Sequence, residues 1–493
     1  MATRPVPLLS TPGPVAGAGV LAALLVGVLM AAAPPYGIGL VLALCFVPLA
    51  LVDLPLSLAI WVALTLFDRV PFVWIGPTAA ALMVLLAWLG TLRNRRTSVA
   101  RVVHRHRRLL GVVALLLVWM GMSALWAEDQ VRVGTETVKW CVAAAGFLVV
   151  ATTVDAPRHL RVLLAAFVAG AVVSVALGVA DAVVQQGFAL EEGGRLKGGG
   201  GDANYLAAGL IPAAVLAGAL AGATRNPLLR LVAWSAAAII AAGVAATQSR
   251  GGMIAVVVAV VAALVVLRHR RSQVVAFVLV VALGGGAWFA AYPEAWTRVV
   301  DTQSGSTGRA DLWTVGWRMF RDHPVVGVGL HNYAVRAEDY VREPGSLEAV
   351  ELIADDPHEA HNVFLGVLAE TGVVGLALYL AVLSACLAAA YRSMRAFESL
   401  GERALADLSG AVVVAMVAAL SASAFIPNGG DKRLWVLLGL GPAMLLISTR
   451  WTRDEPGAVS RGGERAPRRR SASRPARAKP PVGLRHPAAG KAP

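Results

Sequence analysis

The stretch HEAHNVFLGVLAETGVVG occupies positions 358–375, and LALYLAVLSACLAAA carries it on, without a further charge, to Tyr391. An apolar run of this length is long enough to cross a bilayer as a helix. A membrane admits only helices or closed barrels as spanning structures. Barrel strands alternate apolar and polar residues, which this run does not do. The stretch therefore decides for helices, and it poses a second question at its start. His358, Glu359, His361 and Asn362 crowd the point where the chain enters the apolar phase, with His358 and His361 spaced i, i+3 on one helical face.

Similar runs recur on both sides of it. The chain has 493 residues, 57% of them hydrophobic and 15% charged, with a mean hydropathy of +0.67. So little charge in so long a chain excludes an ordinary soluble protein. Spans are expected at 15–33, 37–52, 55–67, 74–91, 109–126, 139–153, 160–184, 203–223, 229–246, 252–267 and 273–292, and then at 363–390, 404–425 and 434–449. The expected fold is an all-α polytopic bundle of about 12–14 transmembrane helices. The run from Val15 to Ala33 is read as a retained first helix, not a cleaved signal. Cys45, Cys141 and Cys386 each lie inside an apolar run and are read as packing residues.

The net charge of +14 is concentrated in one place: the tail from Arg450 to Pro493 holds 12 Lys/Arg against 3 Asp/Glu. Rich in Pro, Ala, Ser and Arg, the tail is expected to be disordered and to lie near anionic lipid, so nucleic-acid binding is not indicated. The other basic clusters are Arg93–Arg108, Arg268–Arg271 and Tyr391–Arg395. Threading the spans between them puts every cluster on one side, the cytoplasmic side, along with both termini. The opposite side receives the unusual polar segments. Among them are QQGFALEEGGRLKGGGGDAN from Gln185, QSRGG at Gln248, PNGGDKR at Pro427, and the long segment 293–360 with 12 Asp/Glu against 6 Arg.

The expected organisation is residues 1–108, N-terminal helices and a basic loop; 109–292, central helices; 293–360, a large extracytoplasmic loop; 361–449, C-terminal helices; and 450–493, the tail. Within the large loop, GSTGRADLWTVGWRMFRDHP reads as an amphipathic helix. Ser306 or Thr307 caps it, His323-Pro324 ends it, and Trp313, Trp317 and Phe320 share a face. VVGVGLHNY then reads as a turn, followed by polar loop up to His358.

Several residues on that side have two readings. Arg250, in ATQSRGGMIAVVV, stands where an apolar run breaks and restarts. It is either a guanidinium fork for phosphate, approached closely through Gly251 and Gly252, or an arginine snorkelling to the interface. Arg309 opens the amphipathic helix at an N-terminus that favours anions, or pairs with Asp301 or Asp311. Asp202, with Asn204 beside it, is a site carboxylate or a helix N-cap. Asp431, Lys432 and Arg433 are site groups or interfacial anchors. His361 has the side chain suited to take a proton from an acceptor hydroxyl near neutral pH. Glu370, two and a half turns below it, needs a partner at that depth. A zinc site built from His358, His361 and Asp355, Asp356 or Glu359 is the rival, although it lacks the i, i+4 histidine pair of the helical zinc motif.

SRGG at Ser249, GRADLW at Gly308, FRDHPVVGVGLHNY at Phe320 and AHNVFLGVLAETGVVG at Ala360 follow one another in that order, flanked by GDANYLA at Gly201 and PNGGDKRLW at Pro427. This set resembles the O-antigen ligase and O-antigen polymerase family of bacterial membrane glycosyltransferases, over roughly residues 200–440. The resemblance implies a glycan donor linked to undecaprenyl pyrophosphate and used outside the cytoplasmic membrane. Arg250 and Arg309 match arginines that hold the pyrophosphate, His361 the base, and Asp431 an acidic position of the last outer loop. His358, Asn362, Glu370 and Arg433 join Asp431 as expected substrate-binding residues, as do Asp202, Asn204 and Ser249. The activated donor demands no nucleotide, metal or other cofactor. The expected partners are the lipid-linked donor, a glycan, lipid or protein hydroxyl acceptor, and membrane lipid. A polymerase of repeat units is the nearest alternative, and a transporter or flippase of an anionic substrate is the alternative from another class. A transporter would be expected to show repeated halves and midplane charges.

Overall fold

The computed structural model describes residues 28, 34–67, 75–92, 96–184, 195–198, 201–291, 293, 309–341 and 359–454. The described residues are helical, joined by short links. In chain order the helices are α1 (Pro34–Val52), α2 (Leu54–Leu64), α3 (Ile75–Thr91), α4 (Arg96–Arg105), α5 (Arg107–Met122), α6 (Gln130–Thr153), α7 (Pro157–Val184), α8 (Ala203–Ala223), α9 (Pro227–Ala246), α10 (Arg250–Val266), α11 (Arg271–Ala291), α12 (Arg309–Asp322), α13 (Tyr333–Val341), α14 (Val363–Ser399), α15 (Arg403–Ser423) and α16 (Lys432–Asp454). Nine of the described helices are long and apolar enough to cross a membrane, and Leu54–Phe67, Thr78–Thr91 and Arg250–Val266 are shorter apolar helices. The expected spans from residue 37 onward each coincide with a helix. The run 15–33, the caps Ser306 and Thr307, and the tail beyond Asp454 lie outside the described residues.

Local sequence sets the boundaries. Asp53 separates α1 from α2 by accepting the Leu56 N–H on its side chain at 3.1 Å. Asn226 does the same for α9, with Pro227 at the first helical position, where a missing N–H costs nothing. The centre of the bundle is α15, packed along α8, α10 and α14. Its Ala, Val and Gly residues let neighbouring backbones approach closely. Trp435 of α16 is fully buried, edge-on to Trp140 at 6.0 Å and to Phe147 at 6.1 Å, and its indole N–H reaches the Gly429 carbonyl at 2.9 Å. These rings tie the last helix to α6.

Four sequence expectations need correction. α6 starts at Gln130, not near 139, because Asp129 caps it by accepting the Arg132 N–H at 3.0 Å; EDQVRVGTETVK is therefore mostly helix. The basic loop after α3 contains a helix of its own, α4, whose Val102 packs with Ala151 and Leu446. The segment read as polar loop after LHNY contains α13, which buries Tyr333, Ala337 and Tyr340 against α12. Finally, the stretch that decides the fold is not one continuous helix. Gly372 has φ +66 and ψ −171, which breaks α14.

The break is filled from the side. Val328 N–H donates to the Ala369 carbonyl at 3.0 Å, Gly329 N–H to the Glu370 carbonyl at 2.8 Å, and Val373 N–H to the Pro324 carbonyl at 2.9 Å. The Trp119 indole reaches the Thr371 carbonyl at 2.9 Å. Backbone groups released by the break thus find partners, as an apolar surrounding requires. A Cβ at Gly372 would collide with the Val325 carbonyl, and one at Gly327 (φ +69) with Glu370, so both positions require glycine.

Candidate functional site

At the end opposite the basic loops, the N-termini of α8, α10, α14 and α16 gather with the start of α12. Each of the first four is capped by a polar residue of the sequence motifs. Asp202 accepts from Asn204 N–H at 2.8 Å and Tyr205 N–H at 2.9 Å. Ser249 accepts from Gly252 N–H at 3.1 Å, and Asn362 from Phe364 N–H at 3.0 Å. Asp431 accepts from Arg433 N–H at 2.7 Å. The capping reading of Asp202 holds in this geometry, and its carboxylate also lies within electrostatic reach of Arg309.

Asn204 joins two of these termini. Its side-chain oxygen accepts from Ser249 Oγ at 2.8 Å and from Arg195 at 3.0 Å, and Arg195 also donates to the Thr247 carbonyl at 3.0 Å. This brace fixes the turn that presents Arg250. Gly251 packs so closely on Phe425 that a Cβ there would have to displace the ring. Arg309, at the start of α12, lies within electrostatic reach of Asp202 and Arg250. Burial pulls its guanidinium below the ordinary arginine value, the Asp202 carboxylate opposes that fall, and the like charge of Arg250 adds to it. Two guanidinium groups within electrostatic reach of one another, beside capped helix N-termini, make an arrangement suited to a polyanion.

Asp431 and Arg433 form a second charged unit. Arg433 Nε stands 3.0 Å from Asp431 Oδ1, and both side chains are 13% exposed. Burial pushes the Asp431 carboxyl up, but the Arg433 guanidinium and two backbone N–H groups outweigh burial and leave it below the ordinary carboxylate value. Arg433 also reaches the Tyr205 carbonyl at 3.4 Å, and the Tyr205 hydroxyl reaches the Pro427 carbonyl at 3.3 Å. The pair therefore fastens the last loop to α8.

His361 is not in a helix. Glu359 to Asn362 form a non-helical link and α14 begins only at Val363, so Glu359, His361 and Asn362 do not form the expected helical turn. His358, with the zinc candidates Asp355 and Asp356, lies outside the described residues. The link is tied to α12 through the Trp313 indole, which reaches the Ala360 carbonyl at 3.1 Å. Trp313 is four residues after Arg309, so His361 follows a residue anchored about one helical turn along α12 from the position of Arg309. Glu370 finds the partner that its depth demands. Its carboxylate accepts the Tyr333 N–H at 3.4 Å and the His331 N–H.

Two residues of this end escaped the sequence reading. Arg195 was one arginine in a glycine-rich stretch, and only its contacts with Asn204 and Thr247 distinguish it. His331 lies in the turn that fills the break, with Nδ1 3.5 Å from Glu359 Oε1. Among the described residues, the non-glycine positions with positive φ are Gln248 (49°), His331 (57°) and His361 (45°). All three belong to this end, where locally strained backbone is retained by surrounding contacts.

Residues 235–380 match the family model of the O-antigen ligases. The match includes Ser249, Arg250, Arg309, His361 and Glu370 but not Asp202, Asn204, Asp431 or Arg433. An O-antigen ligase of Pseudomonas aeruginosa is 28% identical over 175 residues, which are 35% of this chain and 37% of that protein. The chain thus spans little more than a third of the relative it matches. The resemblance first carried by the motifs is borne out over this central region, in a multi-pass helical membrane protein.

Proposed function

We propose that this protein is a membrane glycosyltransferase that moves a glycan from polyprenyl pyrophosphate to a hydroxyl acceptor on the outer face of the cytoplasmic membrane. The reading rests on one observation above the others. Arg309 lies within electrostatic reach of Arg250 and Asp202, and the Trp313–Ala360 bond brings the link carrying His361 up to the same helix that starts with Arg309. The orientation follows from the basic loops, which lie at the far end of the bundle.

In this mechanism the acceptor oxygen attacks the anomeric carbon of the donor sugar. The new C–O bond forms as the bond to the pyrophosphate oxygen breaks, and in-line attack inverts the centre. The acceptor proton passes to His361. Negative charge builds on the departing pyrophosphate, where the two guanidinium groups meet it with paired N–H donors. Asp202 keeps the arginines from repelling each other when no donor is bound. Arg195, Asn204 and Ser249 hold the turn, and Asp431 with Arg433 holds the last loop against α8. The leaving group is already activated, so the reaction asks for no nucleotide or metal. A transporter would need released backbone groups at the helix break for its ligand. Here the Ala369, Glu370 and Thr371 carbonyls and the Val373 N–H are engaged by protein.

The test uses His361→Ala and Arg250→Ala in a strain lacking the chromosomal copy. Both variants are expected to reach the membrane at wild-type amounts, to abolish the surface glycan and to let its polyprenyl-linked precursor accumulate. Full activity of His361→Ala would refute the assignment of the base. Products extended by many repeat units would point to a polymerase, and one transfer to a different acceptor to a ligase.

A further inference from the structure

The turn that fills the break in α14 is fixed at almost every residue. Gly329 N–H is bound to the Glu370 carbonyl at 2.8 Å and Leu330 N–H to Ser123 Oγ at 3.0 Å. The Glu370 carboxylate takes the N–H groups of His331 and Tyr333. Asn332 is fully buried; its side chain accepts the Asp129 N–H at 2.8 Å and donates to the Asp129 carbonyl at 3.1 Å. Bonds on this scale can hold a histidine at φ +57, a conformation that glycine adopts without strain. The backbone therefore gives no reason for a histidine at 331. The reason must lie in the side chain, and the side chain points to Glu359: Nδ1 stands 3.5 Å from Oε1, with the two side chains 28% and 39% exposed.

Glu359 begins the link that carries His361. The link is tethered at Ala360 by Trp313 and at Asn362 by its capping of α14. His331 supplies a further tether, at Glu359, and it comes from a different part of the chain than the other two. We infer that His331 is a positioning residue for His361: its imidazole holds Glu359, and with it the link, so that His361 meets the acceptor hydroxyl at the correct angle. Glu370 acts one step further back, by pinning the turn that aims His331. This inference rests on His361 being the base.

The left-handed backbone makes the test clean. His331→Gly removes the imidazole and relieves strain, so the variant is expected to fold and accumulate at least as well as wild type. Asn also tolerates this conformation and can donate to Glu359, so His331→Asn is the conservative replacement. The assay uses purified full-length protein and polyprenyl-linked glycan extracted from the deletion strain. His331→Gly is expected to lower kcat about tenfold or more with the donor KM unchanged, as a misaimed base would. His331→Asn is expected to recover most of that loss. Glu359→Ala should match His331→Gly, and the double variant should lose no more than the worse single one. Wild-type kcat in His331→Gly, or equal losses in the Gly and Asn variants, would overturn the inference. If His361→Ala abolishes transfer while His331→Gly does not, only this inference fails. If His361→Ala is itself active, the function reading fails with it.

Discussion

The two ends of the bundle both carry arginines in the turns between helices, and they hold them differently. At the basic end, Arg270 Nε meets Asp407 Oδ2 at 2.8 Å and its NH2 meets the Gly222 carbonyl, near the C-terminus of α8, at 3.2 Å. Arg450 there reaches the Asp155 carbonyl at 3.1 Å. Each cation is matched to a carboxylate or to the negative end of a helix, as stability alone would arrange it. At the polar end, Arg309 lies within electrostatic reach of both Arg250 and Asp202, and both arginines stand at helix N-termini, the positive ends. Like charge near like charge at a positive helix end is a placement that an anion would relieve. The difference teaches that charge at a membrane boundary becomes informative when it sits on the wrong end of a helix.

The comparison breaks first at the arginines. Arg309→Ala is expected to reduce transfer by roughly a hundredfold or more, because a cationic donor proposed to meet the leaving group is lost. Thermal stability of the purified protein should change little, since the repulsion from Arg250 and the attraction to Asp202 are lost together. A large loss of stability with unchanged transfer per folded molecule would put Arg309 in the same class as Arg270.

Asp431→Asn sharpens the comparison from the other side, since this carboxylate is structural although it lies at the polar end. Removing its charge takes from the buried Arg433 guanidinium the carboxylate that it pairs with, at a cost of about 3 kcal/mol. The pH dependence follows in sign. The folded carboxyl titrates below its unfolded value, so the stabilisation is complete above the unfolded pKa and lost as pH falls through the folded one. Unfolding of wild type and Asp431→Asn should therefore differ at neutral pH and converge below about pH 4. A difference that persists in acid would mean that the Asn change acts by packing instead of charge.

Gly372→Ala tests the helix break at a similar scale. The Cβ would meet the Val325 carbonyl at positive φ, for a cost of about 2–3 kcal/mol. Less protein should reach the membrane, and transfer should fall in proportion.

The positions of the spans were legible because hydropathy is a property of single residues summed over a window. The cap at Asp202 was legible for the same reason: it acts on N–H groups two and three residues away. The break at Gly372 was not legible. AETGVVG is as apolar as a continuous helix, and the break exists only because Pro324 to Gly329 arrive from a distant part of the chain to receive the released groups. Arg195 and His331 were hidden likewise, since their partners Asn204, Thr247 and Glu359 lie outside their own turns. Arg250 and Arg309 were marked in sequence, singly by their settings and together by the resemblance, whereas the nearness of Asp202 to Arg309 belongs to the fold alone.

Arg270→Ala should have the smallest effect. The Arg270–Asp407 pair is partly exposed, with side chains 30% and 16% accessible, so the attraction is screened and the pair is worth about 1 kcal/mol. Its loss frees the Gly222 carbonyl at the C-terminus of α8, which water at the membrane boundary can satisfy. The melting temperature should fall by a few degrees, and transfer at permissive temperature should not change. The variant thus tests the division between the ends directly, because the basic end is proposed to hold the bundle in place and to take no part in the reaction. Transfer lost at an intact fold would show that the far end bears on the chemistry, and the two-ended reading would have to be given up.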